Sequence, residues 1–284
     1  MLKVIILINC PDQAGIINSV THFIHLRSGN IMYLDQHVDK SSDIFFMRLE
    51  TEFQTDEFSA ENFKTLFKNE LAQLYQMHWS IHLDTHRPKM ALFVSKYNHC
   101  LYDLLGRHNS GELKVDIPFI LSNHPDLKFI ADQFNIPFYH IPFSKENREA
   151  AEEKQLTLLK EHKVDFVVLA RYMQIVSERL ISIYPNRIIN IHHSFLPAFA
   201  GAKPYHAAFK RGVKIIGATS HYITSELDAG PIIEQDVTTV SHSHSISDFI
   251  SKGRDLEKIV LSRAIKLHVL RKTMVYNNKT VIFS

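Results

Sequence analysis

The stretch RIINIHHSFLP at residues 187–197 is an apolar run that ends in polar residues and a proline. Short β-branched runs of this kind predict a buried strand, here residues 188–192. Because side chains alternate along a strand, Asn190 and His192 share one face, while Ile191 points to the other. Open α/β sheets bind ligands at the carboxyl ends of their strands. The two polar side chains therefore either cap the strand or belong to a ligand site, and this stretch alone leaves both interpretations open.

Further apolar stretches recur on both sides of this one and alternate with segments of helical spacing. Continuous apolar strands are typical of a parallel sheet covered by helices on both faces. We therefore predict a Rossmann-like, mostly parallel α/β fold. The candidate strands are residues 90–95, 115–121, 138–141, 166–170, 188–192 and 215–223. A helix at 245–270, interrupted near Gly253, and a terminal hairpin around Asn277 are predicted to follow.

The first 83 residues follow a different pattern, which predicts strand, helix, strand, strand, helix and strand. Residues 2–8 are apolar and β-branched, 16–24 carry apolar side chains at helical spacing, and 77–83 alternate between apolar and polar. This βαββαβ order is typical of a ferredoxin-like unit. A proline-containing segment at 84–88 resembles a linker. We therefore predict two domains, 1–84 and 85–284.

The composition excludes several functional classes. The 284 residues are 45% hydrophobic and 22% charged, with a net charge of +2 and no basic cluster, which argues against nucleic acid as a partner. No apolar run approaches about 18 residues, so no membrane span is expected. The two cysteines, Cys10 and Cys100, cannot form a disulfide framework. A cytoplasmic protein is predicted.

Metal ions and cofactors are not expected either. His242 and His244 have the spacing of a chelating pair, but no carboxylate-rich or zinc-protease motif accompanies them. No GxGxxG motif follows any predicted strand, which argues against a nicotinamide cofactor.

Asp228 is a third candidate residue, and it carries a carboxylate. Asp228 follows the predicted strand 215–223 and precedes Ala229-Gly230-Pro231, so it either forms a turn or lies at the same sheet edge as Asn190 and His192. An amide, an imidazole and a carboxylate at one edge are suited to acyl transfer. We expect burial there to raise the pKa of Asp228, which would suit proton transfer.

Several motifs together resemble a known family. Asn190-x-His192, the segment SFLP at 194–197 and LDAGPII at 227–233 resemble the folate-dependent formyltransferase superfamily. Within it, NIHHSFLPAF at 190–199, PYH at 204–206 and GRD-x-E at 253–257 resemble the formyltetrahydrofolate deformylases closely. The N-terminal unit, with Asp12-x-x-Gly15 after its first strand, resembles an ACT domain, which that family also carries. The resemblance covers essentially the whole chain.

The resemblance implies that water hydrolyses 10-formyltetrahydrofolate to tetrahydrofolate and formate without a cofactor. Asn190 and His192 would stabilise the oxyanion, and Asp228 would assist proton transfer. It further implies a homo-oligomer with an amino-acid effector in the N-terminal domain. The other implied site residues are Met173, Gln174, Ile175, Glu226 and Leu227 for the substrate, and Asp12, Gly15 and Ile16 for the effector.

Two alternatives remain open. Ala229 is similar to the residue in relatives that formylate amines, so formyl transfer to an amine acceptor is the first. However, residues 95–99, SKYNH, contain no glycine that would let backbone amides hold the phosphate of such an acceptor, which favours water. The second is a folate or amino-acid sensor with an inactive C-terminal domain, and the intact catalytic trio argues against it.

Overall fold

The chain folds into two compact units. The computed structural model describes residues 1–56, 58–144, 146–198 and 204–284. One unit comprises Met1–Arg87 with Ile282–Ser284, and the other comprises Pro88–Val281. This division differs from the predicted domains, because the last three residues fall with the first unit. Residues 199–203, between the segments SFLP and PYH, lie outside the described residues. Within the described ranges, no helix has the length and apolar character needed to cross a membrane.

The first unit is a four-stranded antiparallel sheet with two helices. The strand order is β2-β3-β1-β4, which is the predicted ferredoxin-like arrangement. Its elements are β1 (Leu2–Pro11), α1 (Ile16–His25), β2 (Asn30–Asp39), β3 (Ile44–Phe53), α2 (Ala60–Phe67) with a π-helical turn at Lys68–Ala72, and β4 (His78–Leu83).

Alternation along β1 and the apolar stripe of α1 form the core of this unit. Ile6 and Ile8 on β1 have no exposed surface. The ring of Phe23 on α1 packs edge-on against Phe63 and Phe67 of α2, with centroids 5.4 and 5.2 Å apart. Edge-to-face aromatic pairs of this kind add to the stabilisation from burial alone.

The second unit is a seven-stranded sheet of order β11-β10-β9-β8-β5-β6-β7. Strands β5 to β9 are parallel, as predicted, whereas β10 runs antiparallel to β9 and β11 runs antiparallel to β10. The elements are β5 (Met90–Val94), α3 (His99–Asn109), β6 (Ile120–Ser122), α4 (Lys128–Gln133), β7 (Phe138–His140), α5 (Arg148–Glu161), β8 (Phe166–Ala170), α6 (Glu178–Ile183), β9 (Ile188–His192), α7 (Pro204–Arg211), β10 (Ile215–Tyr222), β11 (Ile232–Thr239), α8 (Ile246–Val269), β12 (Thr273–Tyr276) and β13 (Lys279–Ile282).

Two sequence predictions about elements of this unit are wrong. The strand predicted at 115–121 is confined to Ile120–Ser122, because Pro118 lacks the amide hydrogen that a central strand needs. The helix predicted to break near Gly253 runs without interruption from Ile246 to Val269. A capping box at its start, in which Ser245 and Asp248 bond each other's backbone, stabilises its first turn.

Position 253 of α8 is a glycine because a neighbouring ring occupies the space that a side chain would need there. A Cβ atom on Gly253 would lie 2.1 Å from Cζ of Tyr205, whose ring is buried and whose hydroxyl donates a 2.6 Å hydrogen bond to Glu257. The ring therefore cannot move aside freely. The glycine marks close packing of α7 against α8 and not a helix break.

We predict that Gly253→Ala destabilises the protein by about 1–3 kcal/mol through overpacking. The matched control is Gly106→Ala in α3, where a Cβ meets nothing within 4 Å. There the better helix propensity of alanine should stabilise by about 0.5–1 kcal/mol. Urea unfolding of both variants measures the difference, and equal shifts of the same sign would contradict this account.

Candidate active site

Asn190 and His192 lie at the carboxyl end of β9 and line the same cavity. Its volume is about 400 Å³, within the usual range for small-molecule sites. β9 pairs with β8 on one side and with β10 on the other, so Asn190 lies opposite His221 and His192 lies opposite Thr219. The His192 side chain is buried, and Asn190 is half-buried.

Asp228 reaches these residues by a route that the sequence did not indicate. Since β10 is antiparallel to β9, its end does not meet the end of β9 at a common sheet edge. The following loop instead folds back, and Asp228 itself has φ 55°. Gly230 allows this path, because a Cβ there would lie 1.8 Å from the carbonyl oxygen of Tyr222.

The carboxylate of Asp228 lies between two histidines. Its Oδ1 is 3.2 Å from Nδ1 of His192 and 3.8 Å from Nε2 of His221. The hydrogen bond with His192 outweighs partial burial and lowers the pKa of Asp228 below 3.8. The expectation of a raised pKa is therefore wrong. Asp228 is therefore an anion at neutral pH, and it accepts a hydrogen bond from the Nδ1–H group of His192.

The five predicted substrate-binding residues line the same cavity: Met173, Gln174, Ile175, Glu226 and Leu227. The loop that carries residues 173–175 is held in place by Ser95, which follows β5. The Ser95 hydroxyl accepts a 3.0 Å bond from the Met173 amide and donates a 2.6 Å bond to Asn123. Met173 and Leu227 are exposed at the cavity walls. These apolar surfaces suit a flat aromatic ligand.

His221, which the sequence analysis missed, fixes the side chain of Asn190. Nδ1 of His221 lies 3.0 Å from the Tyr222 carbonyl oxygen, which can only accept, so Nδ1 carries the hydrogen. Burial lowers the pKa of His221, so the ring is neutral and its Nε2 is an acceptor. The Asn190 amide nitrogen, 3.2 Å away, therefore donates to it. The only sequence signal for this role was that a histidine interrupts a predicted buried strand of mostly small or apolar residues.

Comparison with known proteins identifies the family. The formyl transferase family matches residues 88–265. Formyltetrahydrofolate deformylase of Synechocystis sp. is 52% identical, with 100% of this chain and 99% of the relative covered, and that of Bacillus subtilis is 42% identical, with 98% and 93% covered. The chain belongs to the formyltetrahydrofolate deformylase family.

A solved structure of this deformylase family supports the same assignment. The crystal structure of the formyltetrahydrofolate deformylase from Pseudomonas syringae pv. tomato matches with a TM-score of 0.96 and 44% sequence identity. The match covers 100% of this chain and 95% of that one. Both units of the chain therefore have counterparts in a deformylase, as the resemblance in the sequence indicated.

We predict that His221→Phe lowers kcat about tenfold with little change in KM, because the Asn190 amide loses the acceptor that orients it. His221→Gln, which keeps an acceptor, should retain more activity than His221→Phe. Steady-state kinetics with thermal unfolding as a control test this. Equal activity of both variants and the wild type would contradict a positioning role.

The predicted effector residues lie together at the start of α1. Gly15 has φ 94°, a conformation that favours glycine, and precedes the first helical residue. The Ile16 side chain is buried in the core, so only its backbone amide could meet a ligand. The Asp12 amide donates to the carbonyl of Asp43 across the neighbouring loop. The effector role of these residues stays a prediction.

One group in the described part of the chain has metal-ligand spacing, and it is not the predicted weak pair His242 and His244. His99, Cys100 and Glu257 place their ligand atoms within 4.8 Å of one another. However, burial raises the pKa of the Cys100 thiol well above its usual value, and the Glu257 carboxylate already accepts from Tyr205 and contacts His99. Glu257 is thus already hydrogen-bonded to Tyr205 and close to His99, and Cys100 is a buried neutral thiol.

Proposed function

We propose that this chain hydrolyses 10-formyltetrahydrofolate to tetrahydrofolate and formate, with the pterin in the 400 Å³ cavity. The observation that supports it best is the meeting of Asn190, His192 and Asp228 at one wall of that cavity. The family membership supports the same substrate. No cofactor and no metal take part, because a polarising amide, an imidazole and a carboxylate are sufficient for acyl transfer.

The reaction adds water across the C–N bond of the formamide. The water oxygen bonds to the formyl carbon, the C–N bond breaks, N10 takes a proton and formate leaves with one proton released. Negative charge develops on the formyl oxygen during the attack. Asn190 donates its second amide hydrogen to that oxygen, and one such donor contributes about a hundred- to a thousandfold in rate.

His192 and Asp228 act as a pair. Nδ1 of His192 bonds Asp228, while Nε2 is buried and has no partner among the described residues. Donation from Nε2 to the oxyanion requires a doubly protonated ring, and the ionised Asp228 stabilises that cation. The lowered pKa of Asp228 favours this orienting role over storage of the water's proton.

Transfer of the formyl group to an amine is the second candidate, favoured only by Ala229. The loop at 95–99 argues against it, because the Ser95 hydroxyl is already bonded to Met173 and Asn123. The deciding experiment incubates the purified protein with 10-formyltetrahydrofolate and no amine, and assays formate and tetrahydrofolate, with and without a chelator. Equal amounts of both products support hydrolysis. Turnover that requires an added amine would overturn it, and loss of activity on chelation would overturn the metal-free mechanism.

We further propose a homo-oligomer, assembled partly through ferredoxin-like units acting as ACT domains, in the cytoplasm. A small amino acid would bind near Asp12 and Gly15, where the amides at the start of α1 suit a carboxylate. We predict that one amino acid, glycine or methionine among them, changes the rate of formate release. Titration of amino acids, with Gly15→Ala as the variant, tests this. A flat response, with no heat of binding, would leave only the assembly role.

A further inference from the structure

A second, smaller cavity adjoins the substrate cavity. Its volume is about 210 Å³, and Arg171 and His193 line both cavities. The rest of its wall includes Tyr97, and Arg254 and Glu257 of the GRD-x-E segment, which the proposed hydrolysis does not use. The two cavities therefore lie side by side, with Arg171 and His193 in the wall that they share.

Glu257 is the carboxylate in the wall of this cavity, and it is already engaged. Its Oε1 accepts a 2.6 Å bond from Tyr205, and its Oε2 lies 2.9 Å from Nε2 of His99 and 3.3 Å from Nε of Arg171. Burial would raise its pKa, but the bond from His99 and the charge of Arg171 lower it on balance. Glu257 is thus an anion that balances Arg171.

Arg254, which is exposed, adds a second positive charge to the wall of this cavity. Its guanidinium carbon lies 5.8 Å from the centroid of the Tyr97 ring, and that of Arg171 lies 4.9 Å from the same centroid. Among the described residues no carboxylate lies within ion-pair distance of Arg254, and the buried Nε of Arg171 has the ion pair with Glu257 but no hydrogen bond of good geometry. Both guanidinium groups line the same cavity, and an anion that contacts them there would be attracted by both charges.

We propose that this second cavity binds a small oxyanion and that its occupant during turnover is the formate product. This assignment rests on the proposed hydrolysis. Formate is a planar carboxylate, which the fork of an arginine can bind through two hydrogen bonds. Since tetrahydrofolate still fills the larger cavity after C–N cleavage, formate leaves through the smaller one, past Arg171 to Arg254.

The test compares inhibition by sodium formate in the wild type, Arg254→Gln and Arg254→Lys at constant ionic strength. The matched control is Arg263→Gln, an exposed arginine on the same helix that pairs with Asp236. We expect formate to inhibit without competing with 10-formyltetrahydrofolate. Its inhibition constant should rise about tenfold in Arg254→Gln, rise less in Arg254→Lys, and stay unchanged in Arg263→Gln.

Three results would overturn the proposal: equal inhibition constants in all four proteins, formate that only competes with the folate substrate, or inorganic phosphate that binds through Arg254 and is not displaced by formate. The last result would assign the cavity to a free anion. NMR of ¹³C-formate with the resting protein separates this proposal from the proposed function. Binding that depends on Arg254 in a protein that releases no formate would refute the hydrolysis and the product assignment, and leave the anion site.

Discussion

His192→Ala is expected to lower kcat by about a hundred- to ten-thousandfold, and Asn190→Ala by about a hundred- to a thousandfold, with smaller effects on KM. Both side chains donate to the formyl oxygen, and this interaction is strong only in the transition state, when negative charge has developed on that oxygen. Interactions made mainly in the transition state change kcat more than substrate binding. Single-turnover and steady-state assays of formate release measure these effects.

Two exposed residues of the same types serve as controls. His242→Ala and Asn109→Ala remove a histidine and an asparagine that lie outside the cavity, and both should keep wild-type kcat. Circular dichroism and thermal unfolding confirm that the Asn190 and His192 variants are folded. A folded His192→Ala protein with normal turnover would show that the imidazole does not take part.

The sequence predicted the shared face of Asn190 and His192 because it depends on a local rule. Side chains two residues apart on a strand lie on the same face whatever the strand's neighbours are. The apolar runs likewise indicated the five parallel strands, although β6 is shorter than predicted and β7 is only half-buried. The split order of the N-terminal sheet follows from the spacing of strands and helices in the same way.

The position and charge of Asp228 were not predictable on the same basis. Strand direction depends on how the chain crosses the sheet, and periodicity does not show that β10 is antiparallel to β9. The pKa depends on atoms that come together only in the fold. Burial suggested a raised value, but the 3.2 Å contact with His192 reverses the sign.

His221 and the Arg171–Glu257 pair were missed for a related reason. Each acts through a partner distant in the chain. His221 on β10 contacts Asn190 on the neighbouring strand β9. Glu257 on α8 contacts His99 at the start of α3 and Arg171 after β8. A single sequence shows the residue types but not these pairings. The buried polar groups within apolar elements were the one available signal, since such groups need partners when buried.

Asp228→Asn is expected to lower kcat about a hundred- to a thousandfold while the fold is kept. Asparagine is nearly isosteric and tolerates the left-handed conformation that Asp228 adopts at φ 55°. The variant therefore removes the charge with little change of shape. Without the anion beside Nδ1, the doubly protonated His192 is no longer stabilised, and donation to the oxyanion weakens. Asp132→Asn, which breaks an exposed pair with Lys128, is the matched control and should be fully active.

The pH dependence of kcat separates the two roles of Asp228. Because the His192 bond lowers its pKa below 3.8, the carboxylate stays ionised as the pH falls and is neutralised only below that value. In the orienting role the wild-type kcat should therefore not fall as the pH is lowered from about 8 to 5, since acid also favours the doubly protonated His192. A carboxyl group that stores the proton of the attacking water would have a raised pKa in the complex, and the wild-type kcat would fall as the pH drops through it. A wild-type kcat that falls near pH 6, with no such fall in Asp228→Asn, would assign Asp228 the role of general base and leave the orientation of His192 to other contacts.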